Sequence, residues 1–220
     1  MRIADPLLII SVALALLISL AFHEASHAFA SDKLGDPTAR SLGRLTLNPL
    51  AHLDPVGTIA MVLSSLAGFG IGWGKPVPVY PQFFRNGPLA KLPNADLVGM
   101  ALVALAGPVS NLLLATVGAI LLSGVSDPTS TSDIRLNRFL LTFVVVNVRL
   151  AVFNMIPVPP LDGYRVLLGI LPAKPAYQLA RLEQYGVGIL MLLIFIGQPI
   201  LFRVLVFFST PIFRALTGTA

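Results

Sequence analysis

Cysteine is absent from all 220 residues, which excludes disulfides and thiolate metal sites. Any metal ion must therefore be held by His, Asp or Glu. Charge is scarce as well. Only 11% of residues are charged, against about 25% in soluble domains. Basic runs are missing too, so the net charge of +5 and the pI near 10.0 do not indicate a nucleic-acid partner. Lys and Arg are scattered through loops, a pattern that membrane topology explains better. No internal repeat, low-complexity tract or appended soluble domain is visible. What is abundant is hydrocarbon: 55% of residues are hydrophobic and mean hydropathy is +0.84. The expected solvent for most of the chain is a lipid bilayer. Its length allows one domain, 1–220, with about four to six membrane helices and short loops. The first apolar run is too long for a signal-peptide core and carries the motif described next, so it is expected to stay attached.

That motif is His23-Glu24-Ala25-Ser26-His27, an H-E-x-x-H inside an apolar run. On a helix, positions i and i+4 share a face, so both imidazoles can reach one ion. Glu24 stands beside the first ligand and can take a proton from an activated water. The apolar flanks exclude a solvated polar helix face, and ionisable groups in a membrane segment mark a functional site by default.

Residues 7–30 form the first expected span, and Asp32, Lys33, Gly35, Asp36 and Pro37 end it. Arg44-Leu45-Thr46-Leu47 alternates like a short strand before Asn48-Pro49. Residues 55–70 are apolar but short and Gly-rich, which suits a re-entrant or interfacial segment. The stretch from Gly72 to Tyr80 is extended by proline restriction and is expected to pair with 42–47 or lie along it. Spans follow at 96–123, 138–157 and 185–208, with 124–137 a polar loop, 164–184 interfacial, and Gly197-Gln198-Pro199 a kink. Small residues around Gly107 allow a close helix neighbour, and Asn111 is expected to make an interhelical hydrogen bond. The expected fold is thus an all-α polytopic membrane protein. It has about four full transmembrane helices, a re-entrant or interfacial segment, and a small membrane-associated β-hairpin or strand pair.

Asn154-Met155-Ile156-Pro157-Val158-Pro159-Pro160-Leu161-Asp162-Gly163 ends the third of these spans. Its prolines break the helix, and irregular backbone at membrane depth survives only when buried or facing a polar cavity. Asp162 is thereby offered from a turn that can aim a carboxylate. With the N-terminus outside, 31–95 and 163–184 face the cytoplasm and carry most of the Lys and Arg, as the positive-inside rule requires. The first and third spans then run in the same direction. His23, His27 and Asp162 fall at a similar depth, towards the cytoplasmic side. Two imidazoles and one carboxylate leave a position open on zinc, the pattern of a catalytic site. Asn154 is placed to hydrogen-bond substrate backbone or an oxyanion, or to cap its helix. His52, in a loop, is read as structural or interfacial rather than as a ligand.

The pair of motifs, H-E-x-x-H at 23–27 and N-x-x-P-x-x-x-L-D-G at Asn154, Pro157, Leu161, Asp162 and Gly163, resembles the site-2 protease family of intramembrane zinc metalloproteases. Gly72 to Val79 and Gly107 to Asn111 are similar to family segments too, and the resemblance covers about residues 20–170. It implies one zinc held by His23, His27 and Asp162, with Glu24 as the catalytic acid/base and Asn154 helping to bind substrate or transition state. It implies transmembrane protein substrates, cleaved for signalling or remnant clearance, and a multi-pass home in the cell membrane. Many members carry a gating PDZ or CBS domain, which this sequence lacks. An unwound substrate would be held by strand addition along 42–47 or 73–80. Two other readings remain: a metal or proton transporter, against which stands the absence of related halves, and an inactive binding protein of the same fold. Substrate identity and oligomeric state are left open.

Overall fold

The computed structural model describes residues 6–54, 74–125 and 131–218. The expected re-entrant segment at 55–70 lies outside the described residues, as do Gly72 and Trp73. The described helices are α1 (Pro6–Lys33), α2 (Thr38–Ser41), α3 (Ala95–Ser123), α4 (Thr131–Asn154), α5 (Asp162–Ile170), α6 (Ala173–Ala180), α7 (Gly186–Phe195) and α8 (Gln198–Thr217). Short 3-10 turns lie at Pro49–Ala51, Pro81–Asn86 and Arg181–Tyr185. Among the described residues, five stretches are helical, long and apolar enough to cross a membrane: Pro6–Lys33, Ala95–Ser123, Asp133–Asn154, Ala173–Phe195 and Gln198–Thr217. The all-α polytopic expectation holds.

Small residues bring α1 and α3 together. Gly107 of α3 lies directly against the His23 and His27 rings of α1, and Ala15 and Ala21 of α1 and Ala104 of α3 are buried nearby. In lipid there is no hydrophobic gain from hiding Leu, so close backbone approach and interhelical hydrogen bonds drive this pairing. The outward residues, Leu113, Val117 and Ile120, are exposed and apolar, as lipid-facing side chains are. Cross-helix contacts fix the directions. His27 meets Val103 and Ser19 meets Asn111, so α1 and α3 are antiparallel. Asn111 meets Asn147, and Gly118 lies against Phe143 and Val144, so α4 runs antiparallel to α3 and parallel to α1. α8 returns beside α4: Val204 and Phe208 line a groove with Met155 and Val158, while Ile212 and Leu216 pack at Val144 and Val148. The loop ends of α1 and α4 therefore share one side of the bundle, as the motif spacing predicts.

The expected strand pair is overturned. No strand occurs among the described residues; a single antiparallel bridge joins Leu53 and Gly74. Alternation at Arg44–Leu47 has the right period, but side chains claim the backbone groups first. The Thr46 hydroxyl accepts the Asn48 N–H, and His52 Nε2 donates to the Thr46 carbonyl at 2.8 Å. The Arg44 guanidinium donates to the carbonyls of Ala51, Lys75 and Pro76. Local side-chain bonds of this kind compete with ladders. They still hold 74–80 against 44–53, and Leu45 and Val79 pack on the Ala28–Ala39–Val77 cluster. His52, read from the sequence as structural or interfacial, is buried here and bonded to the Thr46 carbonyl.

Two helix boundaries also move. α4 starts at Thr131, because the polar residues before 138 continue the helix beyond its apolar part. The expected last span is interrupted at Ile196–Gly197 and continues to Thr217 as α8. Between them, the expected interfacial stretch 164–184 folds as α5, α6 and a 3-10 turn, and from Ala173 on it belongs to a stretch apolar enough to cross. Tyr164 and Leu168 pack with Leu97 and Ala176 beneath the start of α3.

Candidate metal centre

His23 and His27 sit one turn apart on the buried face of α1, 5% and 8% exposed. Asp162 is the first residue of α5, delivered by the Pro157–Leu161 turn after α4. One ligand atom from each of the three lies within 4.8 Å of the others. The Asp162 Oδ2 atom is 3.1 Å from His23 Nε2 and 3.3 Å from His27 Nε2. Residues 139 positions apart in the chain are joined here, since 162 − 23 = 139.

The far side of each imidazole decides what the near side offers. His27 Nδ1 is 2.7 Å from the Val103 carbonyl, which can only accept, so Nδ1 carries the hydrogen. His23 Nδ1 is 2.7 Å from Asn111 Oδ1. The Asn111 amide donates to the Ser19 carbonyl and to Asn147 Oδ1, which leaves Oδ1 as the acceptor. His23 Nδ1 is therefore protonated too. A neutral imidazole with its hydrogen on Nδ1 presents a bare lone pair on Nε2. With both rings in this neutral tautomer, two lone pairs converge with a carboxylate oxygen, and Asp162 Oδ2 is a buried acceptor without a well-formed hydrogen bond. Three acceptors in contact repel one another unless a cation lies among them. The donor set fits a divalent metal that takes imidazole and carboxylate.

Backbone shape makes this convergence possible. Pro108 lies inside α3 and cannot donate to the Ala104 carbonyl one turn back, one residue after the Val103 carbonyl that orients His27. At Gly107 an added Cβ would stand 2.5 Å from His23 Cε1 and from His27 Nε2. At Gly163 it would stand 2.2 Å from the Met155 carbonyl oxygen. Glycine at the first position gives both rings their space; at the second it lets the Asp162 turn close on the end of α4.

The three acceptors open on a cavity of about 570 Å³. Glu24, Asn154 and Arg165 line it together with the ligands, and Val77 and Val79 supply an apolar wall. Asn154, the last residue of α4, donates from Nδ2 to the Leu150 carbonyl at 3.0 Å. Every site residue that the motifs predicted therefore borders one space. Sequence reasoning missed Asn147, Val103 and Arg165, and it credited Gly107 with helix packing alone. Asn147 and Val103 act through one polar group across a helix interface, for which a single sequence has no periodic signal.

Comparison with known proteins agrees with this geometry. Residues 123–196, which include Asn154 and Asp162, match the model of Peptidase family M50. The Bacillus subtilis (strain 168) protein named Putative zinc metalloprotease YwhC is 37% identical over 182 residues, covering 81% of this chain and 77% of YwhC. The chain belongs to Peptidase family M50. Two proteins named Putative zinc metalloprotease Rip2 are similar as well. That of Mycolicibacterium smegmatis is 33% identical over 181 residues, covering 81% of this chain and 64% of Rip2. That of Mycobacterium tuberculosis (strain H37Rv) is 30% identical over 178 residues, covering 80% of this chain and 63% of Rip2. This M50 chain thus spans less than two thirds of either Rip2. No solved structure matches it at the same level of significance. M50 is the site-2 protease family that the paired motifs resemble, and with five apolar helices this member is a multi-pass membrane protein.

Proposed function

We propose that this chain is a zinc-dependent intramembrane endopeptidase, one metalloprotease domain over 1–220, that hydrolyses peptide bonds in or near the transmembrane segments of membrane proteins. The observation that carries it is the convergence of His23 Nε2, His27 Nε2 and Asp162 Oδ2 on a cavity that Glu24 also lines. His23, His27 and Asp162 would hold the ion. Bound zinc supplies Lewis-acid polarisation of the scissile carbonyl and lowers the pKa of water. The Glu24 carboxylate accepts the proton of the attacking water and returns it to the leaving amine nitrogen. Asn154 uses one amide hydrogen on Leu150 and lines the cavity, which leaves its other amide hydrogen and Oδ1 for substrate backbone. The extended stretch Lys75–Tyr80, held at its ends by His52, Arg44 and Asp36, lines the cavity through Pro76, Val77 and Val79. An unwound substrate segment laid beside it would pair with the backbone groups of Val77 and Val79.

The active site faces the cytoplasm in this reading, and the host is the cell membrane. The loops on the site side carry Arg40, Arg44, Lys75, Arg85, Lys91, Arg165, Lys174 and Arg181. Arg135 and Arg138 lie at the opposite end of α4. This bias is the one the positive-inside rule describes.

The test is reconstitution into liposomes with a single-span peptide labelled at both ends. Cleavage inside the span is expected, lost on zinc chelation and restored by zinc. Cleavage of soluble extended peptides alone, with the embedded span left intact, would contradict it.

A further inference from the structure

We infer that Arg165 is a specificity residue that recognises an acidic side chain of the substrate, a few residues from the scissile bond, and that Glu183 occupies its place when no substrate is bound. The inference rests on the protease reading above. Arg165 lies three positions after Asp162 on α5, so the two share a helix face. They line the same cavity as Glu24 and Asn154. Among the described residues that line this cavity, Arg165 is the one Lys or Arg. The rest of its lining is mostly Val, Leu, Met, Ala, Pro and Gly. A guanidinium beside such walls is less screened than on an open surface, and its planar donors match a carboxylate.

Its present partner is weakly held. Arg165 Nε and Glu183 Oε1 are 3.5 Å apart, with side chains 36% and 39% exposed. That separation is too long for a good charge-assisted hydrogen bond. Glu183 comes from the separate 3-10 turn at Arg181–Tyr185, so a better-placed carboxylate can displace it without disturbing α5. A rise of 1.5 Å per helical residue puts Arg165 about 4.5 Å along the axis from Asp162. With the reach of the side chain, an extended substrate at about 3.3 Å per residue would present the matching acid roughly two to four residues from the cleaved bond. The preferred substrates are therefore apolar spans with an Asp or Glu close to one flank of the cleavage site.

The experiment uses proteoliposomes of the full chain and a series of alanine–leucine single-span peptides with a central Asn-Pro break. One Asp, or one Lys, is stepped through the positions around the break. For wild type, kcat/KM is expected to peak about tenfold above the neutral parent at one or two Asp positions, the lower end of what a charge-assisted hydrogen bond contributes. The change should appear mainly in KM. Arg165→Gln should bring the Asp-to-neutral ratio to about one, and Arg165→Glu should move the preference to Lys at the same positions. Glu183→Gln should sharpen the Asp preference. Each enzyme's ratio is internal, so partial loss of folded protein does not mimic the result. A flat Asp scan in wild type, or an unchanged preference in Arg165→Glu, overturns the inference and leaves the protease reading standing. If zinc-loaded wild type cleaves no peptide of the series, the protease reading fails and this inference fails with it.

Discussion

Glu24→Gln is expected to abolish peptide-bond hydrolysis while leaving the metal in place. Glutamine keeps the size and the hydrogen-bonding oxygen of glutamate but cannot take up a proton at pH 7. A positioned general acid–base group contributes roughly 10²–10⁴ in rate, so kcat should fall by about a thousandfold. Glu24 lines the cavity but is not in the converging triad, so zinc content should stay at the wild-type level. Rates come from end-labelled span peptides in liposomes, and zinc from elemental analysis of the same preparations. Substantial residual cleavage in Glu24→Gln would place the proton transfer on another group. Loss of zinc in this variant would make Glu24 a ligand instead.

Gly107→Ala should weaken metal binding without replacing a ligand. The new methyl would lie 2.5 Å from His27 Nε2 and 2.6 Å from His23 Nε2. Neither ring can swing away freely. His23 is held through Nδ1 by Asn111, itself held by Asn147, and His27 is held through Nδ1 by Val103. Any move that relieves the methyl breaks one of these bonds. Groups that only orient metal ligands are worth about 10–100-fold in affinity; here both histidines are displaced at once, so a fall of about a hundredfold or more is expected. Alanine is the better helix former by up to about 1 kcal/mol, so the far-ultraviolet dichroism of the purified protein should not decline. Competition with a chelating dye gives the affinity. Wild-type affinity in Gly107→Ala would mean that the rings do not sit against α3 as described.

Much of the site is legible in the sequence because its chemistry is costly in lipid. His23, Glu24, His27 and Asp162 stand out against their apolar flanks, and the direction of the spans places them at one depth. The spans themselves follow from hydropathy, apart from the polar start of α4 and the break at Gly197. Hydropathy registers only the lipid-facing part of a helix, so Thr131–Asn137 reads as a loop. The false strand at Arg44–Leu47 has a different cause. Its alternation is real, but Arg44, Thr46 and His52 satisfy the local backbone groups and leave little for a ladder. Asn147 and Gly107 are illegible for a third reason. Their roles depend on which residues meet across the α1–α3–α4 interfaces. Asn147 holds Asn111, and Asn111 holds His23, and no spacing within one helix encodes that chain of contacts.

The central claim is that His23 and His27 on α1 and Asp162 at the start of α5 close on one ion. Zinc content of the detergent-purified protein, compared between wild type and Asp162→Ala, tests it most directly. One zinc per chain in wild type, with loss of zinc in Asp162→Ala while the helical dichroism is kept, is the expected result. Full retention of zinc by Asp162→Ala would contradict it, because the third ligand would then come from elsewhere and the two distant segments would not share a site.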